Sequence, residues 1–122
     1  MNSNHVTVVY SWTAQPGKLE ELTSIYRDVT AAMERDEPGA ETVHVYVSEA
    51  DNTLHIRDEF SDAGAVGFHL QTTAAAHFPQ LLAVATPGPF AFMGPVPAEM
   101  QAATQQMGLS ATFADHVAGF DR

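Results

Sequence analysis

The chain has 122 residues, 45% hydrophobic and 16% charged, which is enough apolar material for one globular domain and too little length for two. Its 15 acids against 5 bases give a formal charge of -10, a balance that repels a phosphate backbone and an anionic bilayer and so excludes nucleic acid and membrane surfaces as expected partners. No cysteine is present, which removes disulfides, thiolate nucleophiles and zinc–thiolate sites.

The opening "MNSNHVTVVYSW" has no basic n-region or apolar h-region, and no apolar run reaches membrane-spanning length, so a cytoplasmic protein is expected. Val6, Val8, Tyr10 and Trp12 alternate with Thr7, Ser11 and Thr13, the pattern of a half-buried strand. "QPG" breaks it. "KLEELTSIYRDVTAAMER" then carries Leu19, Leu22, Ile25 (or Tyr26), Val29 and Met33 at helical spacing and stops before "EPG". "TVHVYVSEADNTLHIRDEF" reads as a hairpin turning near Asp51-Asn52. Ser61 can cap a second helix from Asp62, interrupted around "QTTAAAH" and restarting at Phe78-Pro79, since proline suits a first helical turn. "PFAFMGPV", with Phe92, gives a short final strand.

The order is β-α-β-β-α-β, a split βαβ or ferredoxin-like α+β arrangement. Right-handed crossovers place both helices on one face of a four-stranded antiparallel sheet and leave the other face bare. One domain spans residues 1–122, with a core at about 5–96 and an extension at 97–122. That extension should be a short helix over "AEMQAATQQMG" and a docked tail. Phe113 and Phe120 are expected to pack onto the sheet unit, across a dimer.

Hairpin parity places the candidate site. Val43, Val45 and Val47 share a face with Leu54 and Ile56, so paired numbers sum to an odd total. A turn centred on Asp51-Asn52 pairs Val47 with Ile56, Val45 with Asp58, Tyr46 with Arg57 and His44 with Glu59. Asp58 then falls on the helix-covered face among valines, beside Tyr10 and Trp12. On the second helix Val66 and Leu70 centre the apolar stripe, and His69 borders it, within sterically reasonable reach of an Asp58 hydrogen bond. Two readings fit these residues. Asp58 can be a hydrated strand-end acid or a helix cap, His69 and His77 surface groups, and the aromatics plain core. Alternatively, acid, imidazole, indole and phenol face one cavity, as proton-transfer chemistry requires.

"QPGKLEEL", "DEPGAETVHVYV", "LHIRDEFSDAGAVGFHLQT" and "HFPQLLAVA" together resemble the antibiotic biosynthesis monooxygenase (ABM) family of small dimeric α/β-barrel proteins, which includes quinol monooxygenases. The likeness runs from about Val6 to Val96. The family's strand-three acid, usually glutamate, is Asp58 here; its helix-two histidine is His69, and its "HF" pair is His77-Phe78. The resemblance implies a homodimer with its bare sheet faces packed together, and a cofactor-independent, metal-free oxygenase acting with dioxygen on a small phenol or quinol. His69 would be the base, Asp58 its orienting partner, and Trp12, Tyr10, His77 and Phe92 the substrate walls. Three alternatives are an isomerase of a small phosphorylated or carbonyl metabolite, a haem-degrading relative, and a non-catalytic ligand-binding dimer. The first two need cationic partners for phosphate or propionate groups, and the chain has only 5 Lys and Arg residues.

Overall fold

In the computed structural model, which describes residues 3–122, alternation and periodicity become an open sheet with helices on one face. The elements are β1 (Val6–Ala14), α1 (Leu19–Asp36), β2 (Ala40–Ser48), β3 (Thr53–Phe60), α2 (Ala63–His69), a π-helical turn (Leu70–Ala74) and α3 (Ala75–Val84). They continue with β4 (Ala85–Pro87), β5 (Phe90–Met93), α4 (Ala98–Gln106) and β6 (Ala111–Ala114). The strand order is β2-β3-β1-β5-β6, with β4 also on β1. This is the expected ferredoxin-like α+β fold. Within one chain the sheet is open and does not close into a barrel.

The strand count differs at one edge. Pro87, Gly88 and Pro89 interrupt the final strand, yet both pieces stay on β1, Trp12 facing Pro87 and Val9 facing Ala91. Proline cannot donate to a ladder, so the break falls where the prolines are. β6 then adds in parallel outside β5, pairing Phe92 with Phe113.

Helix α1 buries Leu22, Ile25, Tyr26, Val29 and Met33 against the inner sheet face, where Val6, Val8, Tyr10 and Trp12 of β1 meet Leu54, Ile56, Asp58 and Phe60 of β3. The β2–β3 register differs from expectation by two residues. Val47 pairs Leu54, Val45 pairs Ile56, His44 pairs Arg57 and Val43 pairs Asp58. The hairpin closes over four residues, 49–52, with Asn52 in the left-handed region at φ 57, a conformation asparagine tolerates better than most residues. Asn52 Nδ2 also donates to the Ala14 carbonyl at 2.7 Å, fixing that turn. A shift of two preserves parity, so every side chain keeps its expected face and only its neighbours change.

Two further boundaries move. Asp62, not Ser61, caps α2, its Oδ1 accepting from the Ala65 backbone N–H at 2.8 Å. The helix is not broken at "QTTAAAH" but widened into the π-turn, so α3 begins at Ala75 and Pro79 lies inside it. The widening has a geometric use. Val66, Leu70, Ala74 and Phe78 all line one cavity at strict spacing of four. In an α-helix such a stripe drifts about 40° per step, and a wider turn takes up part of that drift.

The extension folds back on its own chain. Leu109 is buried, Gly108 stops α4 with φ 80, and Phe113 stacks on Phe92 at 5.2 Å. Phe120 departs from expectation: it is 78% exposed, with the Arg122 guanidinium 5.0 Å above its ring. Among the described residues, no helix is long and apolar enough to cross a membrane.

Candidate active site

A cavity of about 40 Å³ lies between the inner sheet face and the α2–α3 run. Its walls are mostly apolar, and its ionisable groups are Tyr10, Tyr26, Asp58 and His69. Asp58 is 1% exposed because strand alternation turns it inward with Ile56 and Phe60. The Tyr10 hydroxyl donates to Asp58 Oδ2 at 3.0 Å, and the Tyr26 hydroxyl lies 3.4 Å from that of Tyr10. Asp58 Oδ1 is buried without a protein partner. Burial pushes the Asp58 carboxyl up to about 6, against the lowering effects of His69 and of the Tyr10 hydrogen bond. The same burial, with the Asp58 charge beside it, raises the Tyr10 phenol well above its ordinary value.

His69 is also buried, its ring 5.5 Å from Phe60. It lines the cavity with Asp58, but the two are not hydrogen-bonded. Nδ1 is engaged at 3.0 Å with Glu37 Oε2, from the corner after α1. Glu37 is 3% exposed. Burial works to raise its carboxyl, but the His69 hydrogen bond and the nearby Thr73 hydroxyl outweigh that and hold it below the ordinary glutamate value, while Oε1 is buried without a hydrogen-bond partner. The expected Asp58–His69 hydrogen bond is therefore not made. Asp58 takes a phenol and the histidine takes Glu37.

The remaining sequence-derived positions divide. Tyr10 and Phe92 line the cavity, with Phe90 stacked on Tyr10 at 4.4 Å. Trp12 lies outside it. Two residues along a strand advance roughly 7 Å, which carries the indole past the cavity to an edge contact with Phe78 at 5.8 Å. His77 is outside too; its Nδ1 donates to the Thr73 carbonyl at 2.9 Å, one turn back. Sequence reasoning missed Glu37, Met107 and Leu109. The last two come from the extension and close the cavity of their own chain. Among the described residues no group of His, Cys, Asp or Glu is arranged to hold a metal ion.

A profile of the antibiotic biosynthesis monooxygenase family matches residues 5–80, more than half of the chain. The chain belongs to that family. No curated protein matches it in sequence. Among solved structures it is similar to MupZ from Pseudomonas fluorescens, with TM-score 0.84 and 16% identity, covering 98% of this chain and 95% of that one. It is also similar to SnoaB, a cofactor-independent oxygenase from Streptomyces nogalater, with TM-score 0.65, 22% identity and coverage of 78% and 96%. Rv0793 from Mycobacterium tuberculosis matches with TM-score 0.66, 16% identity and coverage of 76% and 96%. At these identities the likeness is one of fold. The MupZ match takes in nearly the whole chain, whereas the other two leave about a fifth or more uncovered.

Proposed function

We propose that this ABM-family chain is an acid–base enzyme, a cofactor-independent monooxygenase or oxidase acting on a small phenol- or quinol-like molecule. The observation that carries the reading is the presence, in one mostly apolar cavity, of an imidazole from the helix side and a buried carboxylate from the sheet side whose Oδ1 has no partner. A buried acceptor left open is costly unless a ligand completes it, and a substrate hydroxyl has the right polarity. Family membership and the fold shared with a cofactor-independent oxygenase point the same way.

The chemistry suits such a cavity. Removing a proton from an electron-rich phenol gives an anion able to pass an electron to dioxygen. For a substrate methylene the balance is CH2 + O2 → C=O + H2O, so the protein must take a proton first and return protons to the departing oxygen. His69 serves as the base, and Asp58, with Tyr10 behind it, receives the substrate hydroxyl. The aromatic wall of Phe60, Phe90 and Phe92 excludes water and flanks the ring. At about 40 Å³ the cavity has room for a few water molecules but not for an aromatic ring, so a ring enters only when side chains move. Leu70, Ala74, Phe78 and Met107 are its partly exposed lining residues and form the door.

The bare outer face, with Val9, Tyr46 and Met93 exposed, supports assembly as a homodimer through that face. A phosphorylated or haem ligand fits worse, because no Lys or Arg lines the cavity. Oxygen uptake with a panel of hydroquinones and anthrols tests the proposal. Turnover by the wild type and its loss in His69→Ala are expected. Tight binding without oxygen uptake would make the chain a ligand-binding dimer.

A further inference from the structure

We infer that Glu37 is a positioning residue of this site: by accepting the Nδ1 proton of His69 it fixes the imidazole tautomer and presents Nε2 to the cavity as the proton acceptor. The inference rests on the acid–base reading above but concerns a residue outside the cavity.

Three observations carry it. The first is how the corner is built. Glu37 follows the last turn of α1, where its backbone N–H still bonds the Met33 carbonyl, and Pro38 biases it out of the helical region to φ -121 and ψ 84. Gly39 follows, and a Cβ there would lie 2.5 Å from Ala65 Cβ. Only a residue with no side chain lets the corner approach α2 so closely. Ala65 and His69 are four apart on α2, on one face of that helix, so the approach that seats Gly39 on Ala65 also brings Glu37 to His69.

The second is chemical. An ionised carboxylate has no proton to give, so in a hydrogen bond of 3.0 Å the Nδ1 atom is the donor. In neutral imidazole the lone pair is then on Nε2. The third is direction. His69 lines the cavity and Glu37 does not, so the ring edge opposite Nδ1 is the one the cavity meets. Among the described residues, Nε2 makes no hydrogen bond.

A simple clasp between corner and helix would need neither a single tautomer nor an effect on the chemical step, and this separates the two roles. The test is long-range nitrogen-15 NMR on labelled full-length protein, with His69→Ala assigning the resonances. Wild type is expected to show Nδ1 protonated and Nε2 bare above the imidazole titration. Glu37→Gln presents both a donor and an acceptor and should give mixed tautomers. On a hydroquinone that the wild type oxidises, it should lower kcat tenfold or more with KM nearly unchanged. A wild-type His69 protonated on Nε2 overturns the inference, and so does a Glu37→Gln kcat within twofold of wild type. If Glu37→Gln does not fold, the wild-type tautomer decides alone. If the wild type consumes no oxygen, the oxygenase reading falls and the tautomer still decides the role of Glu37.

Discussion

Glu37 and Asp58 are both almost wholly buried, 3% and 1% exposed, yet their carboxyls move in opposite directions. At the α1 corner, Glu37 receives the His69 N–H with Thr73 alongside, and it stays below its ordinary value. On the sheet, Asp58 has a single phenol and one unpartnered oxygen, and it rises to about 6. Both are shut off from solvent, but Asp58 lies deeper in the core and Glu37 nearer the surface, so depth of burial and the donors each acid receives set the ionisation together. Each acid keeps one buried oxygen without a partner, but of the two only Asp58 lines the cavity, where a ligand can reach it. A buried acceptor left open costs stability that such a ligand can restore.

The largest expected effect comes from breaking the group between the two regions. His69→Ala removes the proposed base and should lower turnover by about two to four orders of magnitude. Circular dichroism should show the fold retained; full activity on the true substrate would separate the histidine from the chemistry.

Next in size is the opposite pH response of the two acids. Asp58 is raised from an unfolded value of ~3.9 to about 6, so the native state holds its proton more tightly than the unfolded chain. Its contribution is therefore favourable at acid pH and is lost as pH rises from about 4 to 6, by at most roughly 3 kcal/mol for a shift of about two units. Urea unfolding of wild type and Asp58→Asn at several pH values should show the variant gaining on wild type across that window, while its turnover falls. Glu37 has the reverse sign. Its contribution is present above its unfolded value of ~4.3 and is lost as pH falls through the lower folded value, so Glu37→Gln should lose ground to wild type near neutral pH and recover it in acid. Parallel curves for the two variants would erase the contrast.

A smaller effect tests the geometry that joins the regions. Gly39→Ala puts a methyl 2.5 Å from Ala65 Cβ, between two backbones that cannot both hold still. We expect a cost of roughly 1–3 kcal/mol in thermal or urea unfolding, together with a weakened Glu37–His69 hydrogen bond. An unchanged Tm would show that the corner yields freely. Smallest is Met107→Ala at the door. A half-buried side chain should cost about 1 kcal/mol, and its removal should speed uptake of an apolar ligand in stopped-flow binding.

Much of this arrangement can be read from the chain, because period and parity are local properties. The alternation from Val6 to Trp12 and the parity of β2 against β3 put Asp58 on the inner face even though the pairing register shifts by two, since only an odd slip would turn it outward. His69 follows from its place beside Val66 and Leu70. What sequence does not carry is distance along an element and closure between distant ones. Trp12 shares the face of Tyr10 but lies one repeat farther along β1, outside the cavity. The π-turn keeps the helix continuous through a stretch whose composition suggests a break. Glu37 meets His69 across 32 residues through a glycine contact, and its only local sign is an acid placed between a helix end and a proline.

The central claim is that Asp58 is kept under-partnered so that a ligand hydroxyl can complete it. Carbon-13 NMR of the Asp58 carboxyl, titrated without and with a saturating phenol, tests this most directly. We predict a midpoint near 6 in the free protein and a clear fall on binding, as a donated hydroxyl stabilises the carboxylate. A free midpoint near the ordinary ~4, or one that a bound phenol leaves unmoved, would contradict it.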